Sequence, residues 1–233
     1  MNRTTVAGVA PALDPQMKIY EMIDCAPSLL SIFSRLDIKL PFGDISVAQM
    51  CRRDGRSVEL FMMLCRLHID LSYCPPREQL QREMLAEVID YLRASHRYYT
   101  EYMLPHIARH LDEVLLQSDK LSYKVLHNFY DEYMRDVLAH FEEEEHTIFS
   151  AVEASVQGDI CDMAMFEAPH SDIDDRTNDI ASLIIKSLPE EVPTSLRCSM
   201  LDDIYALRDD LRRHSVVEMS LLRPLVEKFL KQK

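Results

Sequence analysis

The sequence predicts an all-α protein: an up-down four-helix bundle in the C-terminal part, preceded by a small helical domain. Three observations predict it. Only 4 of 233 residues are glycine while 47% are hydrophobic, so turns are few and there is ample core to bury. Apolar residues recur at the 3.6-residue helical period over long stretches. The breaks between the four longest stretches are short, which makes neighbouring helices antiparallel.

Residues 1–16, with Pro11 and Pro15, read as a loose arm. Residues 17–74 read as short helices. Pro27 suits the first turn of a helix running through Leu30 and Phe33 to Leu36. Residues 39–44 carry Pro41 and Gly43 and form a turn. Ser46 caps residues 47–53, and Ser57, with Glu59 close behind, caps residues 60–71. Cys74-Pro75-Pro76 ends this unit, because two prolines cannot continue a helix. The bundle then occupies 78–233. Its helices are expected at 78–116, 120–156, 159–188 and 195–230, separated at Gln117-Ser118-Asp119, at Gln157-Gly158-Asp159 and at 189–194. Pro105 and Pro224 fall inside helical pattern and should kink or open their helices.

Charge and composition exclude several classes. A net charge of −13 and a pI near 5.1 repel phosphate backbones, which argues against nucleic acid. The apolar runs are short and interrupted by charge, so no segment is expected to span a membrane. No basic region followed by an apolar core opens the chain, so no secretory signal is expected. The six cysteines form no C-x-x-C pair; single scattered thiols suit a reducing compartment, and a cytoplasmic location is expected.

The chemistry centres on residues 139–146. His140 and Glu144 stand four apart, which puts an imidazole and a carboxylate on one helix face. The spacing returns at His214 and Glu218, while His96 and His170 stand alone in the other two helices. One such pair is expected by chance among 39 acidic residues, and His127/Asp131 and His170/Asp174 also match. Agreement in depth separates the sets. His96 precedes Ser118 and His140 follows it by equal lengths, about 33 Å of helix at about 1.5 Å per residue. Glu144 and His170 fall within about one turn of each other measured from Gly158, and His170 and His214 lie about 27 and 30 Å from the last break. Burying four imidazoles and two carboxylates without a partner costs several kcal/mol per group.

A metal cluster turns that cost into a binding site. Imidazole with carboxylate suits iron, manganese or zinc, and two carboxylates able to bridge favour two metals, iron above all. His96, His140, Glu144, His170, His214 and Glu218 are therefore the expected ligands. Glu144 and Glu218 would bridge, and two imidazoles would cap each metal, in a pairing left open. An oxo- or hydroxo-bridged di-iron centre would leave about five ligands per iron, with room for oxygen, nitric oxide or peroxide. Ferritin-like bundles use Glu-x-x-His instead, so this is a different site. His106 and His110 lie about 15 and 21 Å beyond His96 along one helix and are expected outside the layer, at the surface or the end of the bundle, with an accessory metal or proton role as the alternative. His68 reads as a core or interface histidine, His146 points away, and His127 is too distant. Tyr98, Tyr99, Tyr102, Tyr130 and Tyr133 are expected near the bundle axis, as core.

The chain resembles the RIC (repair of iron centres) family of hemerythrin-like di-iron proteins with an ScdA-type N-terminal domain. The N-terminal likeness lies in Cys25-Ala26-Pro27-Ser28-Leu29-Leu30, in 33–38 and in 47–53. The C-terminal likeness lies in Ser95-His96-Arg97, Leu104-Pro105, 140–149, 167–170 and 214–224. The resemblance implies iron ligands at the same six residues. It departs at one place: the family's Cys-Cys pair before glycine is matched here by Lys39-Leu40-Pro41-Phe42-Gly43, which leaves a thiol-dependent relay in that domain without its cysteines. The resemblance implies a role in nitrosative or oxidative stress, restoring damaged iron–sulfur proteins by iron delivery or nitric oxide handling. The alternative is an oxygen, nitric oxide or redox sensor that signals to a partner protein through its N-terminal domain. A metal-free structural bundle is a third reading.

Overall fold

A computed structural model describes residues 12–39, 41, 43–115, 120–157, 160–167 and 171–230. The expected breaks at 117–119 and 158–159, and His170, lie outside the described residues. Among those residues there are helices and turns but no β-strand. No helix there is long and apolar enough to cross a membrane. The chain divides into two compact units, Met1–Met84 and Leu85–Lys233.

In the first unit, α1 (Ile19–Cys25) is followed by a 3₁₀ turn at Pro27–Leu29 that runs into α2 (Leu30–Arg35). Pro27 opens the turn, where its missing N–H costs nothing. At the end of α2, Asp37 takes a positive φ of 50° while Ile38 N–H donates to Phe33 O and Asp37 N–H to Ser34 O, a Schellman stop. Gly43, at φ 59°, supplies the left-handed residue of the following turn. Ser46 caps α3 (Val47–Arg53): its Oγ accepts from Gln49 N–H, and the Gln49 side chain accepts from Ser46 N–H. Ser57 caps α4 (Val58–Ile69) by accepting from Leu60 N–H. Ile19, Met22, Leu29, Ile32, Met50 and Phe61 form the core, with Phe33 edge-on to Phe61 at 5.5 Å. His68 is buried, its Nε2 3.5 Å from Ser31 Oγ.

The second unit is the four-helix bundle. Its first rod is α5 (Met84–Tyr98), a π-helical turn at Tyr99–Met103 and α6 (Leu104–Leu115). The second is α7 (Lys120–Glu143), a π turn at Glu144–Phe149 and α8 (Ser150–Val156). The third is α9 (Ser171–Ser187). The fourth is α10 (Thr194–Val217), a π turn at Glu218–Leu222 and α11 (Arg223–Phe229). α6 packs on α7 and α10, and α9 packs on the same two, closing a ring of four. Partner numbers run in opposite directions across three of the four seams. Arg93 meets Glu153 where Leu104 O accepts from Tyr130; Tyr99 reaches Asp210 where His110 reaches Asp203. Tyr133 meets Thr177, and Arg208 meets Asn178 while Arg197 caps the carbonyls of Ile184 and Leu188. Ile107, Tyr130, Tyr133, Ile180, Ile204 and Leu207 fill the interior.

Pro105 and Pro224 do not break their rods. Each is the second residue of a resumed α-helix, directly after a π turn. The wider turn takes up the crowding that a proline ring causes in a regular helix. Three expectations are corrected. The third helix begins at Ser171, not 159, and Met163–Glu167 is a 3₁₀ turn. A helix running through that stretch would hold Pro169 in its interior, at a cost of about 3 kcal/mol. The first rod begins at Met84, because Arg77–Gln79 is a 3₁₀ turn and Leu80 is extended. Tyr102 is 58% exposed and Tyr98 half-buried, so only Tyr99, Tyr130 and Tyr133 of the five tyrosines lie in the core. Successive helical residues diverge by about 100°, so Tyr98 and Tyr99 cannot both point inward.

Leu207 is fully buried and Val125 is 53% exposed. Leu207→Ala is expected to lower stability to urea by about 2–5 kcal/mol, and Val125→Ala by no more than about 0.5 kcal/mol.

Candidate metal centre

Three of the six expected ligands sit at or beside π turns. Glu144 and Glu218 are the first residues of theirs, and His96 lies one turn ahead of Tyr99–Met103. His140 and His214 precede the two glutamates by one turn of α7 and α10. Single π turns within α-helices recur at functional sites because they re-aim side chains without ending the rod.

The geometry converges on Glu144. His140 Nε2 lies 2.8 Å from its Oε1. His96 Nε2 lies 3.0 Å from its Oε2, and His214 Nε2 3.6 Å from the same oxygen. The two imidazoles on that side face each other, Nε2 to Nε2, at 3.2 Å. Each ligand-type atom of His96, Glu144 and His214 lies within 4.8 Å of the others. Four of the residues are almost sealed from solvent: His96 at 3%, Glu144 at 2%, His214 at 4% and Glu218 at 1% exposure. Glu218 is close enough for its charge to act on His214. With His140 and Glu144 it also lines a cavity of about 490 Å³, walled by Ile148, Met165 and Phe166. The structure thus brings five of the six together; the sixth, His170, lies outside the described residues, just ahead of α9.

Burial pushes the His214 imidazole below its ordinary pKa, against the opposing pull of the Glu144 carboxylate beside it. A neutral imidazole carries a free lone pair, the form that ligates a metal. A residue behind His96 fixes the orientation of its ring. Its Nδ1 lies 2.9 Å from Glu145 Oε1, whose other oxygen accepts from Arg93 Nε at 3.1 Å. Arg93 also grips Glu153, at 2.5 and 3.1 Å, and holds that carboxyl below the usual carboxylate range. With Nδ1–H donated to Glu145, Nε2 is the ring's acceptor end and points at Glu144. This is the carboxylate–histidine arrangement that fixes tautomer and ring angle in metal sites. Phe141 stacks on the His96 ring at 4.3 Å and Phe149 at 5.4 Å, holding the ring between them.

The donor set fits a metal. Three imidazole nitrogens aim at the two oxygens of one buried carboxylate, with a second buried carboxylate beside them. Two Nε2 lone pairs at 3.2 Å can share one proton, whereas a cation between them engages both. Nitrogen and carboxylate oxygen together suit iron, manganese or zinc.

Sequence reasoning missed Glu145. The 142–145 run reads as a solvated face, and its outer members Glu142 and Glu143 are indeed exposed. Consecutive helical residues diverge by about 100°, so only one of Glu144 and Glu145 looks available for the interior. Here Glu144 faces the imidazoles while Glu145 faces the neighbouring rod. The available signal was Arg93, three residues before His96, a cation placed to hold a carboxylate against that ring. The remaining histidines behave as expected. His146 is exposed, its Nδ1 2.8 Å from Glu142 O, and His127 pairs with Asp131 at 3.0 Å.

Residues 87–226 match the family model described as the Hemerythrin HHE cation binding domain, a span that holds all six expected ligands. No curated protein matches the chain.

Glu145→Ala should weaken cation binding about 10- to 100-fold, as loss of a partner behind a ligating imidazole does. Competition with a chelator of known affinity measures it, with the exposed Glu142→Ala expected to match the wild type.

Proposed function

Because the chain belongs to the hemerythrin HHE cation-binding family, we propose that its metal-binding bundle holds two iron ions and acts in nitrosative or oxidative stress, helping to restore damaged iron–sulfur proteins. The ligands in this reading are His96, His140, Glu144, His170, His214 and Glu218. One observation carries it: the two oxygens of Glu144 serve different imidazoles, Oε1 facing His140 and Oε2 facing His96 and His214. A carboxylate split in this way suits two cations better than one. It also supports a pairing, His96 with His214 on one ion and His140 on the other.

Iron held by these residues would supply open coordination positions and redox chemistry for a small diatomic such as oxygen or nitric oxide. The chain's own residues do the rest. Glu145 and Arg93 keep the His96 lone pair aimed inward. Phe141 and Phe149 cover the His96 ring and keep water from it. The cavity beside His140, Glu144 and Glu218 has apolar walls in Ile148, Met165 and Phe166, suited to a small uncharged diatomic rather than an ion. The resemblance to RIC proteins, with an ScdA-type N-terminal domain, supports the repair role and a cytoplasmic setting.

A second reading has its own support. Residues 39–43 hold no cysteine, so the N-terminal unit lacks thiols there to accept iron or electrons. That favours a sensor, in which oxygen or nitric oxide at the bundle alters a contact of the N-terminal unit with a partner protein.

Purified protein should hold about two irons per chain, and Glu144→Ala should lose both while His140→Ala loses chiefly one. In a mixed assay with a cluster enzyme damaged by nitric oxide, repair predicts that activity returns as iron leaves this protein. Iron retained while nitric oxide changes a partner contact would select the sensor, and protein without iron would rule out both.

A further inference from the structure

The histidines left over from the first layer form a cluster of their own. His106 and His110 lie one turn apart on α6, so their rings share a face. That face looks across to Asp203 on α10. Asp203 Oδ2 lies 2.5 Å from His110 Nδ1 and 3.4 Å from His106 Nε2. One ligand-type atom from each residue falls within 4.8 Å of the other two. All three are half-buried, and a cleft of about 250 Å³ opens over them, lined also by Arg109, Glu113 and Ser199. Tyr102 lies parallel to the His106 ring, centroids 6.2 Å apart at 5°, which holds that ring in place.

This cluster is separate from the first. His106 is ten residues beyond His96 on one rod, about 15 Å, and His110 about 21 Å. The buried side chains of Tyr99 and Met103 fall between. No chemistry assigned to the first layer uses these three residues.

We propose that His106, His110 and Asp203 form a second cation site, which takes one divalent transition-metal ion of the zinc type. Two imidazoles and one carboxylate are a recurrent three-residue donor set for such ions, with water in the remaining positions. Both histidines come from one rigid helix and the aspartate from the helix packed on it, so the donors are already gathered before an ion arrives. The opening to solvent gives the ion entry and leaves room for its waters. Without an ion, His110 Nδ1–H donates to Asp203; binding displaces that proton, and two helices become joined through the metal. Arg109 and Glu113, of opposite charge, both line the rim. The site ties α6 to α10 and owes nothing to the iron reading.

The test titrates zinc into the full-length iron-loaded protein and into Glu144→Ala, whose first layer is disabled. Both should bind one zinc per chain at this site. Asp203→Asn and His106→Gln, near-isosteric changes, should each weaken that binding by at least about tenfold, since a direct ligand counts for no less than a partner behind one. Helical circular dichroism confirms that each variant is folded, and iron content should stay at the wild-type level. Absence of zinc binding, or zinc binding unchanged in both variants, would overturn the proposal and leave the trio a hydrogen-bonded staple between helices. Zinc bound by the wild type but lost only in Glu144→Ala would overturn it as well, by placing the ion in the first layer.

Discussion

The burial of Glu144 is the constraint on which the rest of this structure turns. A carboxylate at 2% exposure is stable only if its surroundings supply positive charge or donors at close range. Here three imidazoles from three rods meet it within 3.6 Å, and with the His96 lone pair aimed at it a bound cation would supply that charge. That meeting sets the heights of the first, second and fourth rods relative to one another. The antiparallel register seen along the seams, from Arg93 with Glu153 to His110 with Asp203, is the same register carried outward. The aromatic core of Tyr99, Tyr130 and Tyr133 packs beyond the layer, while Phe141 stacks within it on His96.

The π turns explain how one set of rods meets two demands. A straight α-helix carries its apolar stripe down the bundle at a fixed angular step. Donors such as Glu144 and Glu218 must enter that stripe without displacing the packing above and below. Beginning a wide turn at each of them changes the angular step locally, so the helix resumes beyond it on a shifted face. In the first and fourth rods the wide turn also leads into a proline at the second position of the resumed helix. The residue type that would break a regular helix thus sits where the helix has already been opened.

Much of this was legible in the sequence, for identifiable reasons. The all-α class followed from scarce glycine and 3.6-residue periodicity, both properties of whole segments. Ser46 and Ser57 were readable as caps because capping is local chemistry. The convergence of His96, His140, Glu144, His214 and Glu218 was readable because helical rise converts residue number into height. What escaped depends on angle and local irregularity rather than height. Glu145 faces a neighbouring rod that no count along its own helix reveals. The stripe places Tyr98 and Tyr102 inside, yet Tyr102 is exposed and Tyr98 only half-buried against the core. The third helix starts later than periodicity alone suggests, because Pro169, which the periodic pattern does not register, cannot sit in a helix interior. His106 and His110 were excluded from the first layer correctly, but Asp203 sits on another rod, and its approach to them is visible only in three dimensions.

The proposal that Glu144 serves two metal ions rests on its two oxygens facing different imidazoles. Anomalous diffraction from crystals of the iron-loaded protein, recorded on either side of the iron absorption edge, tests it most directly. Two iron peaks are expected, one beside Glu144 Oε1 and His140 and one beside Oε2 with His96 and His214. A single peak, or none within bonding reach of Glu144, would contradict it.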